Sequence, residues 1–309
     1  MRSPGTIAFV IPVYRNARAV TLTYEKLAHL VGRELAGWRC SMVFVDDGSD
    51  DGSLEELRAI RARDERVTVI SFTRNFGQMA AMLAGFRHAV GDVVVHLSAD
   101  LQDPVDIIPK MTDAWRNGDE VVIAYRAGRE DAWTARLASG LFYRIVRVSY
   151  PQMPRGGFDC LLLDRVVMDA FNRIDVRNRF FQGDVLWFGY RTTFIPYTRQ
   201  RRTIGRSQYT FFKRLKNALD AILDSSYLPI RFISAAGVVI ALLGFLYAAD
   251  IAYARWRHQI PVTGWAPIMI LLLIIGGLIM LMLGIIGEYI WRIYDEVRGK
   301  PNYVIRQIE

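Results

Sequence analysis

Two uncharged apolar runs in the C-terminal third constrain this chain more than any other feature. Phe232 to Ala249 reads FISAAGVVIALLGFLYAA, eighteen residues without a charge, and a second uncharged stretch extends from Gln259 through Gly287. A helix rises about 1.5 Å per residue, so either run can cross a hydrocarbon core of roughly 30 Å. A buried helical hairpin is the alternative, but a soluble helix of this length normally shows a polar stripe, and neither run has one. The expectation is a two-helix transmembrane hairpin, with spans at about residues 232–254 and 265–290. Lys213, Arg214, Lys216 and Arg231 precede the first span, and Arg292, Arg298, Lys300 and Arg306 follow the second. The positive-inside rule then puts both ends in the cytosol, with Arg255, Arg257 and His258 in the outer loop. This is a multi-pass protein of the cytoplasmic (inner) membrane in that reading, and the small residues Gly276, Gly277, Gly284 and Gly287 permit homo-oligomer contacts.

Tyr209 to Leu223 gathers Phe211, Phe212, Leu215, Ala218, Leu219 and Ile222 near one helical face. That pattern suits an amphipathic helix in the membrane interface over residues 207–228, or an ordinary surface helix. No secretory signal opens the chain, because the apolar run Ile7 to Pro12 is too short. Cys40 and Cys160 lack metal or redox spacing. With 39 Lys and Arg against 31 Asp and Glu, the net charge of +8 fits an anionic partner.

Upstream, in residues 1–206, short β-rich runs alternate with helical patterns. Strands are expected at Thr6–Ile11, Ser41–Val45, Val67–Phe72, Asp92–Leu97 and Glu120–Ala124, and helices near Ala17–Leu35, Ser53–Arg63, Gln78–Ala89 and Val105–Asn117. Alternation of this kind predicts an α/β domain with a mostly parallel sheet, whose ligands sit beyond the carboxyl ends of the strands. Arg126 to Arg202 is less regular. Residues 229–309 form the membrane hairpin and its cytosolic tail.

Two polar motifs fall at strand ends. In Val45-Asp46-Asp47-Gly48-Ser49-Asp50-Asp51-Gly52-Ser53, Asp47 can accept hydrogen bonds from a base or ribose and Ser53 can cap a helix, or the cluster is a tight turn. In Ser98-Ala99-Asp100-Leu101-Gln102-Asp103-Pro104, Asp100 and Gln102 project oxygens suited to a hard divalent cation shared with a diphosphate, or the segment is an Asx turn. No GxxxxGK[ST] loop is present, and no GxGxxG follows the first strand, which removes the main support for nucleoside triphosphatases and dinucleotide dehydrogenases. Nucleic acid is disfavoured as a partner, because the basic residues flank apolar spans and polar motifs without a reader motif.

Taken together, the motifs resemble the family-two glycosyltransferases of the GT-A fold. The similarity is to polyprenyl-phosphate enzymes: dolichol-phosphate mannose synthases, bactoprenol glucosyltransferases and undecaprenyl-phosphate aminoarabinose transferases. It is carried by Val10-Ile11-Pro12-Val13-Tyr14, Val45-Asp46-Asp47-Gly48-Ser49, Arg74-Asn75-Phe76-Gly77-Gln78, Ala99 to Pro104, Arg202 with Gly205, Ser207 and Tyr209, and Gly287-Glu288-Tyr289-Ile290 with Arg292 and Tyr294. The resemblance implies a Rossmann-like GT-A domain ahead of the hairpin. It puts Pro12 and Tyr14 against the nucleoside and Asp47 on the base, with Val45 and Ser98 in the same nucleotide-sugar site. Ala99 and Asp100 would meet ribose and diphosphate, Asp100 and Gln102 would hold Mg²⁺ or Mn²⁺, and Arg126 would lie near the diphosphate. Arg202, Ser207 and Tyr209 would form an acceptor-phosphate flap, while Asp159 and Asp184 would orient donor sugar or acceptor, or serve as turn carboxylates. Three positions depart from the common pattern: Ser98 stands where Asp is frequent, Asn16 where Glu is, and Gln208 where Lys is.

The implied reaction is inverting transfer of a sugar from a nucleotide-sugar to a polyprenyl phosphate such as undecaprenyl phosphate, at the cytoplasmic face of the bilayer. UDP-glucose is the leading donor, with N-acetylhexosamine and 4-amino-arabinose donors behind it. A non-catalytic nucleotide-sugar binding or assembly protein is the rival. A processive polysaccharide synthase would carry more spans and a Gln-x-x-Arg-Trp motif.

Overall fold

The computed structural model describes residues 2–100, 103–126, 143–144, 146–154, 156–174, 176, 179–198, 228–257 and 265–309. The chain divides into two compact units, residues 1–222 with 301–309, and residues 223–300.

In the first unit, β1 (Thr6–Val13), β2 (Arg39–Asp46), β3 (Val67–Phe72), β4 (Val93–His96), β5 (Val121–Arg126), β6 (Phe158–Asp164), β7 (Thr192–Tyr197) and β8 (Ile305–Ile308) form one sheet, ordered β7-β5-β6-β4-β1-β2-β3-β8. Strand β6 runs antiparallel to β4 and β5, and β8 antiparallel to β3; the other pairs are parallel. Around the sheet lie α1 (Ala19–Glu34), α2 (Ser53–Arg61), α3 (Gln78–His88), α4 (Ile108–Arg116, after a 3-10 turn at Val105–Ile107), α5 (Arg165–Arg173) and α6 (Phe181–Trp187).

Strand β1 shows why the sheet is central. Ile7, Phe9, Ile11 and Val13 join one buried cluster with Leu27, Leu57, Met111 and Trp115, while Ala8 and Val10 join a second with Phe86, Met168 and Phe171. A strand buried on both faces needs a continuous apolar run rather than alternation, and IAFVIPV supplies it. Helix α3 packs close against β1: a Cβ on Gly85 would come within 2.2 Å of Val10 Cγ1. Small residues there let the helix sit on β1 and fix where its N-terminus meets the sheet edge.

The predicted strands and helices match those of the first half to within a few residues at each end. Three strands fall outside the expected set. β6 and β7 lie in the stretch read as irregular, and the tail grouped with the membrane segment ends in β8. There Glu309 N and O bond Val69, Thr73 N donates to Val304 O at 3.1 Å, and Tyr303 stacks on Phe72 at 5.1 Å.

The second unit contains α7 (Leu228–Trp256) and α8 (Trp265–Val297). Among the described residues one stretch is long and apolar enough to cross a membrane, Ile274–Val297, 24 residues with mean hydropathy 1.9 and no part of its apolar window covered by the chain.

Candidate active site

From β1 the sheet grows through β2 to β3, and β4 then starts again on the other flank of β1. A reversal of this kind opens a crevice at the carboxyl ends of β1 and β4. Pro12 belongs at its lip for a simple reason. Val10 O accepts from Leu97 N on the β4 side and Val13 O accepts from Asp47 N on the β2 side, so the N–H that proline lacks would have pointed past the end of β4. No ladder bond is lost.

The loop after β1 carries Tyr14 and then two residues in left-handed backbone conformation, Arg15 (φ 51°) and Arg18 (φ 65°). Strain of this sort persists only where the surroundings hold it. Here the acidic motif after β2 does so. Ser49 Oγ accepts from Arg15 N at 3.0 Å, Asp50 takes a bidentate ion pair from Arg15, Asp51 accepts from Ala17 N, and Glu56 accepts from Arg18 N. Asn16 donates its N–H to Ser53 Oγ at 2.9 Å and offers Oδ1 to Tyr14 N. Ser53 is thus not the helix cap; Gly52 occupies that position, and Ser53 ties loop to loop.

Asp47 is buried, and its carboxylate is engaged from within. Oδ1 accepts from Phe76 N at 2.6 Å, and Oδ2 from Gly77 N and Asn75 Nδ2, both at 2.9 Å. Burial pushes its pKa up to about 6, against the opposing pull of those two amides. The neighbouring Gly48 (φ 69°) could carry no side chain, because a Cβ would lie 2.5 Å from Arg74 C. Asp47 therefore sits at the crevice and orders Arg74–Gly77, so any contact with a base is shared with that task. Val45 is a correction: fully buried inside β2, it gives its side chain to the core, leaving only backbone for a ligand.

On the β4 side, Ala99 and Asp100 are buried at the strand end, and Thr23 on α1 donates to Ala99 O at 3.1 Å. Ser98 Oγ donates to Asp103 Oδ2 at 2.5 Å, and Tyr197 Oη donates to Asp103 Oδ1 at 2.7 Å. Asp103 is therefore committed to two hydroxyls, and Ser98 serves the loop. Among the described residues no three acidic, His or Cys groups form a metal cluster. A magnesium-like ion needs only one or two carboxylates when a diphosphate completes its shell, so Asp100 fits that chemistry.

Beside this loop, Arg126 at the end of β5 pairs with Asp159 at the start of β6. Burial opposes the Arg126 charge, but Asp159, Tyr197 and Asp103 outweigh it and hold the guanidinium pKa above its ordinary value. Its buried Nε–H has no partner among the described residues, a donor suited to an anionic ligand. His96, fully buried, donates Nδ1–H to Asp159 O at 2.7 Å, and burial lowers its pKa, which keeps it neutral.

The structure thus brings Pro12, Tyr14, Asp47, Ser98, Ala99, Asp100, Arg126 and Asp159 to one edge of the sheet. It does not bring Asp184 there in a reactive role. Arg179, its side chain 2% exposed, donates Nε to Asp184 at 2.8 Å, bonds the carbonyls of Phe171 and Ile174, and lies 3.9 Å over the Phe171 ring. Asp184 neutralises a buried arginine. Gln102, Arg202, Ser207 and Tyr209 lie outside the described residues, as do positions 207–227 of the amphipathic stretch. Asp103 and Tyr197 are the additions. Asp103 stood in the motif without a role, and Tyr197 closes a short β run that no local signal ties to a site.

Residues 8–171 match the glycosyl transferase family 2. The chain is 35% identical over 302 residues to an uncharacterized glycosyltransferase of Bacillus subtilis, covering 97% of this chain and 93% of the relative. It is 33% identical over 303 residues to a prophage-derived bactoprenol glucosyl transferase of Shigella flexneri, covering 97% of each. Its fold matches glucosyl-3-phosphoglycerate synthase of Mycobacterium tuberculosis, solved with Mn²⁺, UDP and phosphoglyceric acid, at TM-score 0.50 and 16% identity over 70% of this chain and 76% of that one. With a GT-A sheet, a carboxylate loop after β4 and sequence likeness along nearly its full length, the chain belongs to glycosyl transferase family 2 and is a glycosyltransferase.

Proposed function

We propose that the protein transfers a sugar, with inversion, from a nucleotide-sugar to a polyprenyl phosphate at the cytoplasmic face of a membrane. UDP-glucose is the leading donor and undecaprenyl phosphate the leading acceptor. The observation that carries this reading is that Asp100 after β4 and Arg126 at the end of β5 lie at the same edge of the sheet, in a chain 33% identical to a bactoprenol glucosyl transferase. An acceptor phosphate has a second pKa of about 6 and is largely ionised at neutral pH, so a strong general base is not required. Alignment and charge neutralisation then dominate. Arg126 would face the leaving diphosphate; two unit charges at 4 Å interact by about 4 kcal/mol at an effective dielectric of 20. Asp100, with Gln102, would hold Mg²⁺ or Mn²⁺, which supplies further positive charge to the same leaving group. Asp159 would orient the Arg126 guanidinium and the sugar.

Membrane attachment is part of the proposal, with residues 1–206 catalytic, 207–228 interfacial and 229–309 bearing two spans. Connectivity supports an even number of crossings. The chain leaves the first unit before α7 and rejoins it after α8, where β8 pairs with β3, so one crossing must be matched by a return. The uncovered apolar window of Ile274–Val297 supports lipid as its surroundings.

The test incubates the full-length protein with undecaprenyl phosphate, a panel of UDP- and GDP-sugars and Mg²⁺ or Mn²⁺, reading lipid products by mass spectrometry. A metal-dependent polyprenyl-phosphate sugar that vanishes in Asp100→Ala is the expected result. Tight nucleotide binding without product from any donor would instead support the binding-protein reading.

A further inference from the structure

Across the sheet edge, the polar groups of the second half form one connected series. Ser98 Oγ and N donate to Asp103 Oδ2 at 2.5 and 3.3 Å, and Tyr197 Oη donates to Asp103 Oδ1 at 2.7 Å. The same hydroxyl meets the Arg126 guanidinium, its neighbour across the parallel pairing of β5 and β7. Arg126 then pairs with Asp159. Tyr197 and Asp103 are 6% and 5% exposed, too buried to be solvated alternatives to these partners. A phenol is well suited to the middle of such a series, because it gives its single proton to the carboxylate and keeps lone pairs for the guanidinium. Burial, then the Asp103 carboxylate, raises the Tyr197 pKa and keeps that proton in place.

We propose that Tyr197 is a positioning residue of the transfer reaction, fixing the Arg126 guanidinium relative to the loop that carries Asp100. This rests on the functional reading above, in which both groups face the leaving diphosphate. Arg126 lies on β5 and Asp100 after β4, and the strand between them, β6, runs antiparallel to both. The two charge-bearing groups are thus not adjacent in the ladder. Without the hydroxyl, Arg126 retains Asp159, whose side chain is 36% exposed, and Asp103 loses one of its two hydroxyl donors. The guanidinium would then follow Asp159 instead of the Asp100 loop. Misplacement of a catalytic charge by about 1 Å can cost as much as about 100-fold in rate. The nucleoside contacts expected at Pro12, Tyr14 and Asp47 lie on the β1–β3 flank and do not share this series.

The experiment compares wild type, Tyr197→Phe and Asp103→Asn as full-length proteins, measuring kcat, KM for the donor, metal titrations of activity, and calorimetric affinity for UDP and GDP without metal. Phenylalanine keeps the ring and therefore its packing. Expected for Tyr197→Phe is a fall in kcat of about 10- to 100-fold, a higher metal concentration for half-activation, and a weakening of UDP affinity well below the fall in kcat, since UDP carries the diphosphate that Arg126 faces. Asp103→Asn keeps an oxygen for Tyr197 and an amide that can donate to Ser98 Oγ, losing only the long bond from Ser98 N, so it should keep more of the rate than Tyr197→Phe. An unchanged kcat in Tyr197→Phe overturns the proposal. Equal losses of kcat, nucleotide affinity and Tm also overturn it, because they mark a merely structural residue. Inactive wild type with every donor defeats the functional reading, and the positioning role of Tyr197 falls with it.

Discussion

The two flanks of the crevice are held together by different means. On the β1–β3 flank, backbone amides do the work: Asp47 takes Phe76 N and Gly77 N, while Ser49, Asp51 and Glu56 take the amides of Arg15, Ala17 and Arg18. Each partner set comes from a short contiguous loop, and backbone donors do not change with residue type. On the β5–β7 flank, side chains hold side chains across long intervals: Asp103 with Tyr197, 94 residues apart, and Arg126 with Asp159, 33 apart. A backbone-built cradle tolerates substitution around it, whereas a side-chain series fails at its weakest member. The β1–β3 flank should therefore respond to mutation chiefly in stability and the β5–β7 flank chiefly in rate.

The largest test of that contrast is Arg126→Ala. Removing a preorganised cation from a developing charge costs about 10²–10³ in turnover by analogy with oxyanion-hole deletions. Asp159 is left partly solvated, so the fold should survive. Single-turnover formation of lipid-linked sugar, alongside a melting curve, reads both. A variant that loses stability as much as rate would erase the distinction between the flanks.

Asp47→Ala should show the opposite balance. Two half-buried amides and the Asn75 side chain lose their acceptor, at about 1–3 kcal/mol for an unsatisfied group, so a loss of about 3 kcal/mol is expected. The pH dependence sharpens the point. Asp47 has a pKa of about 6 when folded against an ordinary 3.8, so between those values the native state binds a proton that the unfolded chain does not. That contribution is full below about pH 4 and is lost as pH rises through 6, by at most about 3 kcal/mol. Raising the pH from 4.5 to 7 should therefore lower the wild-type Tm relative to that of Asp47→Asn. A parallel pair of Tm profiles would mean that burial does not govern this carboxylate.

The same contrast explains what could be read from the sequence. The first half was legible because each strand is a dense apolar run ending in a polar motif, and the motif's partners lie in the next loop of the same kind. Asp47, Asp100 and Arg126 could be placed on strand ends without any tertiary information. Tyr197 could not, because its partner Asp103 is 94 residues away and the intervening sequence shows no periodicity linking them. Asp184 misled for the complementary reason: Gln-Gly-Asp resembles a site turn, and only the fold reveals Arg179 buried against it. β8 was hidden by its position after an apolar helix, where the eye assigns a tail. Its four residues carry too little pattern to announce a strand; the unpaired edge of β3 creates the need for it.

β8 also supplies the smallest test, and it probes whether the backbone-built flank is as self-contained as its local bonds suggest. Tyr303 stacks on Phe72 with rings 9° from parallel, and Phe72 in turn meets Phe76 edge-on at 5.8 Å. Phe76 is the residue whose amide reaches Asp47, so an aromatic series connects the C-terminal strand to the Arg74–Gly77 loop. Losing one stacked pair and its partial burial should cost about 1–2 kcal/mol in Tyr303→Ala, with Tyr303→Phe near wild type. Hydrogen exchange would locate the loss, as faster exchange at the amides of Val69, Thr73 and Glu309 that β8 protects. Because Asp47 keeps its three donors, UDP affinity should weaken by no more than about threefold, under 1 kcal/mol. A tenfold loss with Tm little changed would show that the β1–β3 flank, too, depends on distant side-chain packing, and the contrast between the flanks would narrow to one of degree.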